Sequence, residues 1–227
     1  VDKKRGPRVD VDVPSLLLDT AEAMFSEESW DGLSLRSVAR RAGVAPAAVT
    51  YHFATKTDLL AAVFQRRATG VGDDARRRLI EVLEDPGEVG ARQLVEAVLQ
   101  PFLTLINETP TAGRAWMSIF ARLALTNSPI YVAEMNRQPN LNSLYVDTVF
   151  RFMPPTAATL DRCRIAMLAM VSVMSSSDHF GLSGPIGADG VDPAFVETLI
   201  SFIAAGLAGS AETAKRPRRR GRAETAR

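Results

Sequence analysis

Cysteine and histidine are scarce in this chain: Cys163, His52 and His179 are all there is among 227 residues. One cysteine forms no internal disulfide, and there is no Cys cluster with metal-ligand spacing. The two histidines lie on distant segments, and Cys163 has neither near it in sequence, so no nucleophile and base stand out. Gly70-Val71-Gly72 lacks the lysine and the strand context of a phosphate loop. Long apolar runs are also missing. The densest, Ile165–Met174 and Leu199–Gly209, fall well short of the roughly 20 residues that span a bilayer. The N-terminal residues are charged and lack a signal-peptide core. These absences lead to the expectation of a cytoplasmic protein with no catalytic residue, metal or cofactor.

What is present is ordinary for a soluble chain, 46% hydrophobic and 23% charged, with enough apolar residues for a sizeable core. The length suits one large domain or a small module fused to a larger one. The formal net charge of +1 is spread unevenly. Residues 1–67 hold 10 Lys+Arg and 9 Asp+Glu, residues 68–209 hold 10 and 15, and residues 210–227 hold 7 and 2. Such asymmetry bears on partners rather than on fold.

The periodicity is helical throughout, and no convincing strand alternation appears. Residues 1–13, with Lys3, Lys4, Arg5 and Arg8, read as a flexible basic arm. A first helix is predicted from Pro14 to about Asp31–Gly32. Ser34 then offers an N-cap, with Leu35, Val38, Ala39 and Ala42 as the buried stripe. Gly43 falls where a left-handed C-terminal residue belongs, and Pro46 opens a third helix over 46–53. Two short helices joined by a tight Gly-containing turn make a helix-turn-helix. Thr55 and Asp58 resemble a capping box for a fourth helix, expected to end near Gly70–Gly72. Further helices are predicted over 73–84, 91–107, 113–126, 129–152, 156–183 and 193–208, with Pro101 and Pro139 kinking or breaking theirs. The tail 210–227 is polar and arginine-rich and reads as disordered.

The segment Leu33–Phe64 (LSLRSVARRAGVAPAAVTYHFATKTDLLAAVF) resembles the DNA-binding domain of TetR-family transcriptional regulators. The Ser cap, the Ala42-Gly43-Val44 turn, the Tyr51-His52-Phe53 run, Lys56 and Leu59 carry the likeness. It is strong over about 14–66; beyond, only the all-helical architecture and length fit. The resemblance implies an all-α protein: an N-terminal three-helix helix-turn-helix domain over 14–67 and a helical ligand-binding and dimerisation domain over 68–209. In a helix-turn-helix the second helix enters the major groove. Here it begins Pro46-Ala47-Ala48, small residues that permit close approach and touch thymine methyls but donate few hydrogen bonds. By resemblance, Ser34, Arg36, Pro46, Ala47, Thr50, Tyr51, His52 and Lys56 are the expected DNA contacts. Two departures stand out: Ala45 replaces a usual hydroxyl, and Thr50 occupies a position where Tyr is frequent. The bland reading of Arg40 and Arg41 is a solvated face.

In the larger part, Trp116, Met117, Phe120, Met167, Met170 and Met174 suggest an adaptable apolar pocket, with His179, Asp178 or Arg114 as polar anchors. The Arg137-Gln138-Pro139-Asn140 stretch and the layout of 113–183 resemble the fatty-acid-responsive branch of the family, which implies a lipophilic or acyl-type effector. Phe195, Leu199, Phe202 and Ile203 with small residues at 204–209 mark a dimer interface. The expected function is a repressor, homodimeric on a palindromic double-stranded operator and released by a small lipophilic effector. The rival reading is an all-helical small-molecule carrier or enzyme with a helix-turn-helix-like segment.

Overall fold

The computed structural model describes residues 12–27, 33–87, 89–175, 186–187 and 190–209. The basic arm over Lys3–Arg8, Asp178, His179 and the tail 210–227 lie outside these residues. The described chain is a bundle of helices: α1 (Val13–Glu27), α2 (Leu35–Ala42), α3 (Pro46–His52), α4 (Lys56–Glu84), α5 (Ala91–Glu108), α6 (Pro110–Leu125), α7 (Pro129–Met135), α8 (Leu141–Phe152), α9 (Ala157–Ser175) and α10 (Pro193–Ala208). No described helix is long and apolar enough to cross a membrane.

The first four helices follow their local signals closely. Asp12 sits just ahead of α1, and its carboxylate accepts from the Ser15 hydroxyl at 2.6 Å. Ser34 caps α2 by accepting from the Ser37 N–H, while Ser37 returns the bond to the Ser34 backbone. Gly43 ends α2 at φ +70°, a left-handed turn that a Cβ would strain. Pro46 opens α3, and Thr55 and Asp58 form a reciprocal capping box at the start of α4. Leu17, Ala21, Met24, Val38, Val49, Leu59 and Val63 pack together as the core of this part.

Further along, the structure corrects several expectations. No break occurs at Gly70–Gly72: α4 runs unbroken for 29 residues. Gly costs about 1 kcal/mol against Ala in a helix, but Ala68, Ala75, Arg76 and Leu79 around these glycines are buried, and that packing outweighs the propensity. Pro101 lies inside α5 without ending it and is itself buried. Pro139 does coincide with a break, because residues 136–140 separate α7 from α8, and the Gln138–Pro139 bond is cis. A short antiparallel ladder, β1 (Ile186–Gly187) with β2 (Gly190–Val191), was not legible from the sequence. It is fixed by Asn107 of α5, whose side-chain oxygen accepts from the Val191 N–H at 3.1 Å.

Candidate DNA interface and effector cavity

On the head of the molecule, Ser34, Arg36, Arg40, Pro46, Ala47, Thr50, Tyr51 and His52 are all solvent-exposed, and Lys56 is half-buried. All but Lys56, the first residue of α4, lie on or next to α2 and α3, where Val38 and Val49 are turned into the core. Tyr51 is 85% exposed, which no packing role explains, and its ring stands edge-on to His52 at 5.0 Å. The Thr50 hydroxyl donates back to the Ala47 carbonyl at 3.2 Å. Ala45 gives α3 no side-chain cap, but Pro46 has no N–H to satisfy and the Ala48 N–H donates to the Ala45 carbonyl at 2.9 Å. Phe53 is half-buried against the core.

Ion pairs brace α4 against α1: Arg66 with Asp19 and, at 3.8 Å, with Glu22, and Arg67 with the buried Glu22 at 2.7 Å. The middle of α4 then enters an aromatic cluster. Phe64 stacks on Trp116 at 5.7 Å and on Phe120 at 6.3 Å, and Phe120 meets Tyr131 edge-on. The Trp116 indole N–H donates to the Phe64 backbone carbonyl at 2.9 Å. That bond ties α6 to the helix that begins beside α3.

Beside the cluster lies a cavity of about 30 Å³. Its apolar wall comes from α4 (Phe64, Ala68, Leu79), α5 (Val98, Phe102), α6 (Trp116, Phe120) and α9 (Met167). A second void of about 20 Å³ is lined by Met117, Phe120, Met167 and Met170. Of the sequence candidates, Trp116, Met117, Phe120, Met167 and Met170 are therefore brought together here. Met174 is buried but lines neither void. Arg114 is half-buried, donates to the Pro110 carbonyl and also lines neither. His179 lies outside the described residues.

The sequence reading missed the share of the wall supplied by α4 and α5, and it missed the polar end. At that end Glu134 of α7 is 1% exposed and Arg76 of α4 is 5% exposed. Arg76 donates to the Pro139 carbonyl at 2.9 Å, to the Glu134 carbonyl at 2.8 Å and to Glu134 Oε1 at 3.4 Å. Arg137 adds a bond to the same Oε1 at 2.9 Å and reaches Asp73 at 3.2 Å. Gly72 is required here, since a Cβ would lie 2.7 Å from Arg76 and 2.8 Å from Glu134 Oε1. A lone carboxylate in the apolar run Pro129–Met135 was the available signal. Tyr145 of α8 is buried in the same lining, and burial raises its phenol well above the ordinary value.

A capped, exposed helix-turn-helix carried on an all-helical body defines a DNA-binding transcriptional regulator. Residues 17–63 match the family of bacterial regulatory proteins, tetR family, and that segment is a DNA-binding domain of the TetR kind. No curated protein matches the sequence. Solved structures share the fold. The fatty acid degradation regulator FadR from Bacillus halodurans is 16% identical with a TM-score of 0.59, covering 90% of this chain and 98% of that one. AmtR from Mycobacterium smegmatis is 20% identical with a TM-score of 0.59, covering 93% and 92%. SmeT, the repressor of the Stenotrophomonas maltophilia efflux pump SmeDEF, is 19% identical with a TM-score of 0.56, covering 83% and 89%.

Proposed function

We propose that this chain is a homodimeric cytoplasmic repressor, released from a palindromic operator by a small lipophilic effector. One observation carries the reading: α4 begins at Lys56 beside α3, and its middle walls the apolar cavity. A ligand that opens the cavity must displace α4 or its neighbours, and so move the reading helix. Residues 14–67 serve as the DNA-binding part and 68–209 as the effector and dimer part, with α4 crossing between them. Ser34, Arg36, Pro46, Ala47, Thr50, Tyr51, His52 and Lys56 meet the DNA. Ile165 and Leu168 of α9 and Phe202 of α10 are exposed, an apolar face that a second copy would cover. A dimer sets two reading helices one DNA turn apart, which is how helix-turn-helix proteins obtain a useful site length.

The effector must favour the conformation that cannot bind DNA, or it shifts nothing. Fluorescence anisotropy with the DNA upstream of the protein's own gene, scanned against lipophilic compounds, tests this. A repressor of this kind loses about 5–150-fold in operator affinity at saturating effector. Specific binding that no lipophilic compound alters contradicts the effector role.

A further inference from the structure

The polar end of the cavity selects among lipophilic molecules. Among the described residues, Glu134 Oε2 and the Tyr145 hydroxyl have no hydrogen-bond partner, although both residues are at least nine-tenths buried and both line the cavity. Two such orphans in a mostly apolar wall, whose other polar side chains are Tyr131 and Asn142, are costly unless something satisfies them. Glu134 Oε1 is already occupied by Arg76 and Arg137, so Oε2 is the acceptor left over. We propose that this site takes a neutral, mostly apolar ligand bearing a hydroxyl or N–H donor for Glu134, and rejects free carboxylic acids. The proposal rests on reading the cavity as the effector site.

Charge makes the choice. The charges here already balance: Arg76 and Arg137 face Glu134 and Asp73, with Arg76 and Glu134 the buried pair. A ligand carboxylate would set a second negative charge beside Glu134, and an ammonium would leave the buried cluster with a net positive charge. Burying either uncompensated charge is strongly unfavourable. A hydroxyl does neither. It donates to the carboxylate without adding charge, and the buried Tyr145 phenol, which keeps its proton because burial disfavours the phenolate, is a second neutral donor in the lining. The aromatic wall of Phe64, Phe102, Trp116 and Phe120 suits an aromatic or alicyclic body. The cavity of about 30 Å³ must enlarge to admit such a ligand. Met167 lines both this void and the one beside Met117 and Met170, and methionine side chains repack readily.

The test is calorimetric titration of the full chain with five probes of one shape: para-butylphenol, para-butylaniline, para-butylanisole, para-butylbenzoate and para-butylbenzylamine. The phenol and the aniline are expected to bind best. The anisole, which lacks a donor, should bind about tenfold more weakly, and the two charged probes more weakly still. Tyr145→Phe removes a hydroxyl that bonds nothing described, so folding is retained; phenol and anisole, whose oxygens both accept, weaken together several-fold and the preference between them, set by Glu134, is kept. Glu134→Gln keeps the shape, and its amide oxygen is held by Arg76 and Arg137. The amide N–H₂ then faces the cavity, and the preference inverts towards the anisole. Benzoate binding as tightly as phenol, or equal affinity for phenol and anisole, overturns the proposal. So does binding by none of the five, which would mean that a trapped water serves the two polar atoms. Operator affinity is measured in parallel. Selective phenol binding with unchanged operator affinity upholds the ligand class and removes the effector role. Operator release by benzoate alone does the reverse.

Discussion

The head and the body of this molecule expose and bury opposite things. Around α2 and α3 the side chains assigned to function point outward, and the fold there rests on caps and a few buried aliphatics such as Val38 and Val49. Around the cavity the side chains assigned to function are themselves the core: Trp116 and Glu134 are almost fully buried. Function and stability are therefore separable in the head and entangled in the body. A head of this kind accepts new base-reading residues at little cost to folding. A body of this kind accepts a new ligand only by repacking its interior.

Substitutions can break that contrast. The largest effect is expected in the body. Glu134→Ala leaves the Arg76 guanidinium buried without its carboxylate, and Arg76 retains only the backbone carbonyls of Glu134 and Pro139 and the exposed Asp73. Removing one partner of a buried pair typically costs about 3–5 kcal/mol, to be read from urea unfolding. A loss below about 1 kcal/mol would show that the body is less entangled than its burial suggests.

In the head, Arg36→Ala is expected to leave unfolding unchanged and to cost about 1–3 kcal/mol in operator binding, with relaxed preference at one base pair per half-site. Normal operator binding by this variant would remove Arg36 from base reading. The smallest effect is assigned to Lys56→Ala. It should weaken all DNA sequences alike and flatten the salt dependence by about one unit per subunit. A sequence-dependent loss would move Lys56 from the phosphates to the bases.

The same contrast explains what was legible in the sequence. The constraints that shape α2, α3 and the start of α4 are local: Ser34 and Ser37 are three residues apart, as are Thr55 and Asp58, and Gly43 follows its helix directly. Each is visible as a short pattern. The constraints on the body are distant. Arg76 meets Glu134 across 58 positions, and Trp116 meets Phe64 across 52. No local pattern announces either contact, so the Met and Trp residues could be nominated for the pocket while its α4 wall and polar end could not. The glycines at 70 and 72 misled for the same reason. Their helix penalty is local, and the packing that overrides it comes from other segments.

The unbroken α4 also has a mechanical meaning. From Gly72, beside the buried Arg76, to Lys56 at its tip there are about 16 residues, or roughly 24 Å of rigid rod at 1.5 Å per residue. With its fulcrum at the cavity, a swing of about 5° carries the tip roughly 2 Å. Two such arms swinging oppositely in a symmetric pair would change the span between the tips by roughly twice that. A hinge at the paired glycines would have absorbed the motion; a continuous helix carries a small tilt in the interior to the tip at Lys56 as a larger displacement.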